Sequence, residues 1–251
     1  METDEQIELI NKSTDRTNHM PHLYLIPCPL GENSLATLPE MVGTHIRELE
    51  VFIVERAKTA RHFIKAMEPR LPISELQIFE LDKHNPQSAH QVFQAALKTG
   101  KDIGVLSEAG CPGVADPGAL VVGYAHQHGM KVVPLVGPSS ILLALMASGL
   151  NGQNFAFRGY LPAKKPALSN ALKQLESTAK KQNQTQLFIE APYRNRGVIE
   201  AAFKYLSPST RFCIAADLTL PTEYIKMQTI KAWKNAELPD LHKRPAIFLI
   251  G

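Results

Sequence analysis

The chain reads as an α/β protein with two α/β domains in tandem. A mobile tail is expected over residues 1–21, an N-terminal α/β domain over residues 22–150 and a C-terminal one over residues 151–251. Three observations predict this. Short apolar, β-rich runs alternate with helix-like stretches, with Gly and Pro between them. A second alternating series begins near Asn151. The length, 251 residues with 44% hydrophobic and 20% charged residues, suits one large domain or two near the lower end of the usual range, and it excludes wholesale disorder.

The elements follow in order. Met1–Asn18 carries five acids against two bases and reads as a tail, with Ile7, Leu9 and Ile10 able to make one helical turn. Strands are expected at Leu23–Pro27, Val51–Val54, Leu76–Leu81, Asp102–Ser107 and Lys131–Val136. Helices are expected at Leu35–Leu49, Thr59–Met67, Gln87–Lys98 and Ala119–His128, which together predict a mostly parallel sheet covered by helices. Ser139–Ser148 follows as a helix that Ser139 or Ser140 can cap and Gly149 can close. The second series runs through a strand at Asn154–Arg158, a polar helix at Lys165–Lys181, a strand at Gln186–Glu190, a helix at Asn195–Leu206 and a strand at Arg211–Ala216. Thr222–Thr229 and Ala246–Ile250 complete the set.

Composition removes several classes. No apolar run approaches the ~20 residues that span a bilayer. The longest candidate, Ile141–Ala147, is far too short, so no membrane association is expected. The three cysteines, Cys28, Cys111 and Cys213, form no CxxC pair, which argues against structural zinc and a disulfide framework. The N-terminus lacks an export pattern, so a reducing, cytoplasmic location is expected. The histidines form no HExxH or comparable pair, and no metal is expected. A net charge of +3 excludes a strongly basic tail but allows a local basic patch.

The densest motif is Ser107-Glu108-Ala109-Gly110-Cys111-Pro112-Gly113-Val114-Ala115-Asp116-Pro117-Gly118. Its glycines and prolines make a shaped loop at the carboxyl end of a buried-looking strand, the edge where open α/β sheets bind ligands. A tight connector with Asp116 as cap or turn former gives the same pattern. Gly137-Pro138-Ser139-Ser140 opens a helix whose N-terminus suits a carboxylate or phosphate and repels a sulfonium; a plain Ser cap is the other reading. Pro29-Leu30-Gly31 occupies the place of a dinucleotide fingerprint or P-loop and matches neither. Arg158–Lys181 holds six bases and one acid. It is either a polyanion-binding patch or a solvated helix face. Lys58 and Arg61 share one side of a helix and can face phosphates or pair with Glu55.

Taken together, SEAGCPGVADPG, GPSSILLALMASGL and FRGYLPAKK resemble the tetrapyrrole-methylase superfamily of S-adenosylmethionine-dependent methyltransferases. Within it, FRGYLPAKK and FIEAPYR are similar to the branch that 2′-O-methylates a cytidine of small-subunit ribosomal RNA. The resemblance runs from about Leu23 to Gly251. It implies two α/β domains with the cofactor, S-adenosylmethionine, in the cleft between them, usually in a homodimer. It places Pro29, Leu30 and Gly31 at the first cofactor loop and Ser107, Glu108, Ala109, Gly110, Val114 and Asp116 at the second. Ser139 and Ser140 fall at the domain junction. Glu190, Ala191, Pro192 and Asp217 fall on second-domain loops.

The chain departs from the branch in three places. Val54-Glu55-Arg56-Ala57-Lys58 stands where the branch has AEDTR. Asp217-Leu218-Thr219-Leu220 stands for ELTK, so Leu220 replaces a lysine. Thr222-Glu223 stands for a later HE. The expected function is 2′-O-methylation of a ribose in ribosomal RNA or the assembled small subunit, with RNA contacts at Lys58, Arg61, Arg158, Lys164, Lys165 and Arg194. A ribose hydroxyl is a poor nucleophile until it loses its proton, and Glu55, then Glu190, are the candidate bases. A methylase of a tetrapyrrole-like molecule and a non-catalytic cofactor- or RNA-binding homologue are the rival readings.

Overall fold

The computed structural model describes residues 20–82, 85 and 87–251. The tail reading for Met1–Asn18 lies outside the described residues. The chain forms two compact units. One takes the described part of Met1–Cys28 with Pro39–Gly137; the other takes Pro29–Leu38 with Pro138–Gly251.

The first unit is built on five parallel strands, β1 (Leu23–Ile26), β2 (Val51–Val54), β3 (Gln77–Glu80), β4 (Ile103–Leu106) and β5 (Val132–Pro134), in the order β3-β2-β4-β1-β5. Helices α1 (Glu40–Glu48), α2 (Ala57–Ala66), α3 (Ser88–Leu97) and α4 (Gly118–Gln127) connect them. VFIV in β2 and IGVL in β4 are buried at every position, as expected for interior strands covered on both faces. Gly104 belongs there because a Cβ would sit 2.8 Å from Ile26 and 2.9 Å from Phe52. One face packs Leu23, Val51, Ile53, Ile103 and Val105 against Phe93 of α3 and Val121 and Ala125 of α4.

The expected helix over Leu35–Leu49 is broken in two. A single 3-10 turn covers Leu35–Thr37 and α1 starts only at Glu40. Pro39 is the cause: it pushes Leu38 into the extended region (φ −92°, ψ 135°), where a helix cannot pass.

The second unit carries β6 (Phe155–Tyr160), β7 (Thr185–Ile189), β8 (Arg211–Ala216), β9 (Tyr224–Thr229) and β10 (Ala246–Ile250), ordered β6-β7-β10-β8-β9. Only β6 and β7 run parallel; the other three pairings are antiparallel. The mostly parallel sheet expected of the first series is found in the first unit, and the sheet of the second unit is mostly antiparallel. The connection from Ala216 to Tyr224 is too short for a crossover, so β9 must fold back on β8. Helices α6 (Lys165–Gln182), α7 (Asn195–Tyr205) and the short α8 (Ile230–Trp233) cover one face. Trp233 is fully buried there and donates its indole N–H to the Phe212 carbonyl at 2.7 Å. The polar look of α6 hides an apolar stripe: Leu168, Leu172, Leu175 and Ala179 are buried at helical spacing. Helix α5 (Ser140–Ser148) covers the other face through Ala144 and Leu145, with Leu30 packed against the same cluster. Gly149 ends α5 in the left-handed region at φ 66°.

Candidate active site

All five strands of the first unit deliver their carboxyl ends to one edge. The connections leaving the adjacent strands β1 and β4 run in opposite directions along the sheet. The loop after β4 is braced from within. Cys28 and Gly110 exchange backbone bonds of 2.8 and 3.0 Å, pinning the exit of β1 to the loop. The buried Ser107 hydroxyl donates to the carbonyls of Ala109 (3.2 Å) and Gly110 (3.3 Å). Asp116 accepts the Gly113 amide on both oxygens at 2.9 Å and the Gly118 amide at 2.6 Å.

Burial pushes the Asp116 carboxyl above its ordinary value, and these amides only partly offset that. Gly110 (φ 73°), Gly113 (φ 83°) and Ala115 (φ 63°) make the reversals. A Cβ at Gly118 would lie 2.8 Å from Asp116 Oδ1. Asp116 thus shapes the loop, while Glu108, Ala109 and Val114 are left exposed.

Beside this loop, the end of β2 supplies a charged group. Glu55 accepts the Glu108 amide at 3.0 Å. The Glu108 carboxylate accepts the Thr59 hydroxyl at 2.8 Å and lies 3.9 Å from Arg56. Thr59, one turn into α2, was not singled out in the sequence, because a lone threonine on a helix carries no signal. Lys58 and Arg61 are exposed on α2. Ser139 holds the cap position of α5 with extended backbone, but no side chain caps that helix.

In the second unit, the loops after β6, β7 and β8 and before β9 and β10 meet at one edge of the sheet. Glu190 is sealed, with no exposed side-chain surface, and its Oε1 lies 2.7 Å from Arg194 Nη1. Arg194 also reaches the Pro162 carbonyl at 3.5 Å. Asp217 sits at φ 49° and accepts the Thr222 hydroxyl (2.8 Å) and Arg244 Nε (2.7 Å). Arg244 donates further to the carbonyls of Asp240 (2.8 Å) and Thr222 (2.5 Å), so one guanidinium ties three loop segments. Thr219 takes φ 73°, a strained conformation for a β-branched residue that costs on the order of 1–3 kcal/mol.

The loop Pro29–Leu38 belongs to this unit. Ser34 donates to the Gly31 carbonyl at 2.7 Å, and a Cβ on Gly31 would lie 2.7 Å from Leu220 Cδ1. The lysine replacement at Leu220 therefore covers Gly31 with an apolar side chain. Ala191 and Pro192 begin the short turn that accepts the Arg194 amide at 2.7 Å.

Of the expected RNA contacts in this unit, Arg158, Lys164 and Lys165 are exposed. Arg158 is braced by Gln186 (2.8 Å) and Gln184 (3.3 Å). Lys164 and Lys165 open α6, whose first turn holds no acid. Among the described residues, no group of three or more His, Cys, Asp or Glu is placed to hold a metal ion. No described helix is long and apolar enough to cross a membrane.

A family model described as Tetrapyrrole (Corrin/Porphyrin) Methylases matches residues 22–233. The chain is 33% identical over 209 residues to the ribosomal RNA small subunit methyltransferase I of Vibrio cholerae, covering 83% of this chain and 69% of that protein. It is 30% identical over 208 residues to the protein of the same name from Escherichia coli O157:H7, with the same coverage. Among solved structures it is similar to the methyltransferase CobJ, with a TM-score of 0.61 at 18% identity over 92% of this chain and 94% of that one. It is also similar to the uroporphyrin-III C-methyl transferase of Thermus thermophilus complexed with S-adenyl homocysteine, with a TM-score of 0.53 at 15% identity over 92% and 97%. At such identities the likeness shows the fold. The chain belongs to the tetrapyrrole (corrin/porphyrin) methylase family of S-adenosylmethionine-dependent methyltransferases.

Proposed function

We propose that this chain methylates the 2′-hydroxyl of a ribose in small-subunit ribosomal RNA. The observation that carries this reading is the 27–33% identity, over most of the chain, to several proteins named for that RNA. The unneutralised lysines at the start of α6 support it. Lys164 and Lys165 add full charges to the positive end of an 18-residue helix, a placement unfavourable in isolation and suited to a phosphate.

The residues fit a sulfonium nucleoside. The loop Ser107–Gly118 offers backbone and small side chains, and its Asp116 charge is turned into its own amides. When bound, S-adenosylmethionine supplies a methyl group on a good leaving group. In this reading Ser107–Asp116, Pro29–Gly31, Ala191, Pro192 and Asp217 hold it, with Ser139 and Ser140 nearby. Glu55 takes the proton of the ribose hydroxyl, because it stands at the strand-end edge with its Oε1 on the Glu108 amide. Glu190 acts on Arg194, its ion-pair partner. Holding the reacting groups in line is worth roughly 7–11 kcal/mol. Lys58, Arg61, Arg158 and Arg194 complete the phosphate contacts. A homodimer in the cytoplasm is the expected state, and Leu142 and Met146, four apart on α5 and 50% and 78% exposed, would pack against the second copy.

The test is methyl transfer from labelled S-adenosylmethionine to assembled small subunits, naked small-subunit RNA and a tetrapyrrole. The reading expects label in RNA, together with one phosphodiester made resistant to alkali. Label in the tetrapyrrole alone identifies the rival substrate. No label in any, with cofactor heat present in calorimetry, identifies a non-catalytic homologue.

A further inference from the structure

A groove of about 560 Å³ opens at the loop edge of the second unit, lined by Pro192, Tyr193, Arg196 and Glu200 from one segment and by Leu238, Asp240 and His242 from another. Its two walls are fastened together. The buried Asn195 side chain donates to the carbonyls of Leu241 (3.0 Å) and Arg244 (2.8 Å), so the turn carrying Tyr193 cannot move independently of the segment before β10. On this braced turn Tyr193 is 73% exposed. It directly precedes Arg194 and follows Ala191 and Pro192, so the groove begins where the candidate site ends.

We propose that this groove takes one unpaired nucleobase of the RNA, stacked on Tyr193 and carrying an exocyclic amino group. The inference rests on the RNA reading and names a subsite within it. The volume lies in the range of small-ligand sites. An exposed aromatic ring beside an apolar wall is the platform on which single-stranded bases stack. The acidic lining residues select for the base. Glu200 uses one oxygen on Arg196 (3.0 Å) and Asp240 one on the His242 amide (2.9 Å). Each keeps a second oxygen as an acceptor. Such acceptors, two carboxylates against the one guanidinium of Arg196 in the lining, suit an amino group of adenine, cytosine or guanine.

The test measures binding of oligo-A, oligo-C, oligo-U and an abasic ribose-phosphate oligomer of equal length to the full chain. The parent is expected to hold oligo-A and oligo-C more tightly than oligo-U, and the abasic oligomer least. Tyr193→Ala is expected to weaken oligo-A binding about tenfold, with Tyr193→Phe and Tyr193→Trp restoring it. The salt slope should not change, because no phosphate contact is lost. Glu200→Gln with Asp240→Asn is expected to erase the preference over oligo-U. Equal binding by the parent and Tyr193→Ala, with small-subunit RNA still methylated, overturns the groove and leaves the function standing. A parent that neither binds nor methylates RNA overturns both. Calorimetric titration with S-adenosylmethionine checks that each variant is folded.

Discussion

Glu190 and Arg194, four residues apart in the loop that closes β7, form an ion pair of 2.7 Å around a carboxylate with no exposed side-chain surface. The contact lacks hydrogen-bond geometry, and among the described residues neither Glu190 oxygen has a hydrogen-bond partner. A carboxylate held this way depends on its arginine, and the arginine is fixed in return. Arg194→Ala should therefore destabilise the chain by about 3–5 kcal/mol, because it strands a buried charge. The double change Glu190→Leu with Arg194→Met should return stability to near that of the parent while RNA methylation stays low. Denaturant melts and methylation rates check the split. Equal stability of Arg194→Ala and the parent would mean that the pair holds nothing.

Leu220 and Gly31 should be energetically coupled. Gly31→Ala places a methyl within 2.7–3.2 Å of the Leu220 side chain, and such overpacking costs about 1–3 kcal/mol. With Leu220→Ala in the background the added methyl fills the vacated space, so the double variant should be more stable than the sum of the singles. A thermal double-mutant cycle measures this coupling. Strict additivity would show that the two loops separate in solution.

Glu176 gives the second unit an acid-sensitive joint. It accepts the Ser207 amide at 2.8 Å, lies 3.2 Å from Lys180, and takes a short hydrogen bond from the Thr210 hydroxyl. Burial alone would push its carboxyl up, yet the donors Thr210, Ser207 and Lys180 outweigh that and hold it below its ordinary value. A lowered folded value means that the contribution is full above the unfolded carboxyl range, about pH 4.3. It is lost as pH falls through the lower folded value. Glu176→Gln should cost about 1–3 kcal/mol at pH 7 and show a shallower loss of stability between neutral and acid pH. Melting curves against pH decide it; parallel curves for parent and variant would refute it.

Lys164→Ala with Lys165→Ala should weaken binding to naked small-subunit RNA and lower the slope of log K against log salt by about 1–2. Titrations at several salt concentrations measure both. An unchanged slope would remove the start of α6 from the RNA face.

Much of the first unit was legible because its interior strands β2 and β4 are buried on both faces. VFIV and IGVL have no polar alternation to misread, and charged residues, Glu50 and Glu55, bound the first of them. The direction of the second unit's strands was not legible. Tyr224–Thr229 looks the same whichever way it pairs, and only the short chain between β8 and β9 settles it. Long-range braces were equally hidden. Asn195 finds its partners 46 and 49 residues away, and Arg244 reaches back 27 residues to Asp217. Neither residue type at either spacing leaves a local trace. The membership of Pro29–Leu38 in the second unit could not be read because it depends on Leu30 finding the α5 cluster. The loop Ser107–Gly118 stood out because reversals at positive φ favour glycine, and Gly110 and Gly113 make two of the three here.

That same loop keeps its half-buried acid, Asp116, occupied with its own amides, and this bears on how the region can change. Its contour is set by parts facing inward, so an outward residue such as Val114 or Glu108 can be exchanged singly without redrawing the curve. A change at Asp116 or Gly118 would alter the outline itself. New specificity in such a frame is reached by repainting the surface, one exposed side chain at a time.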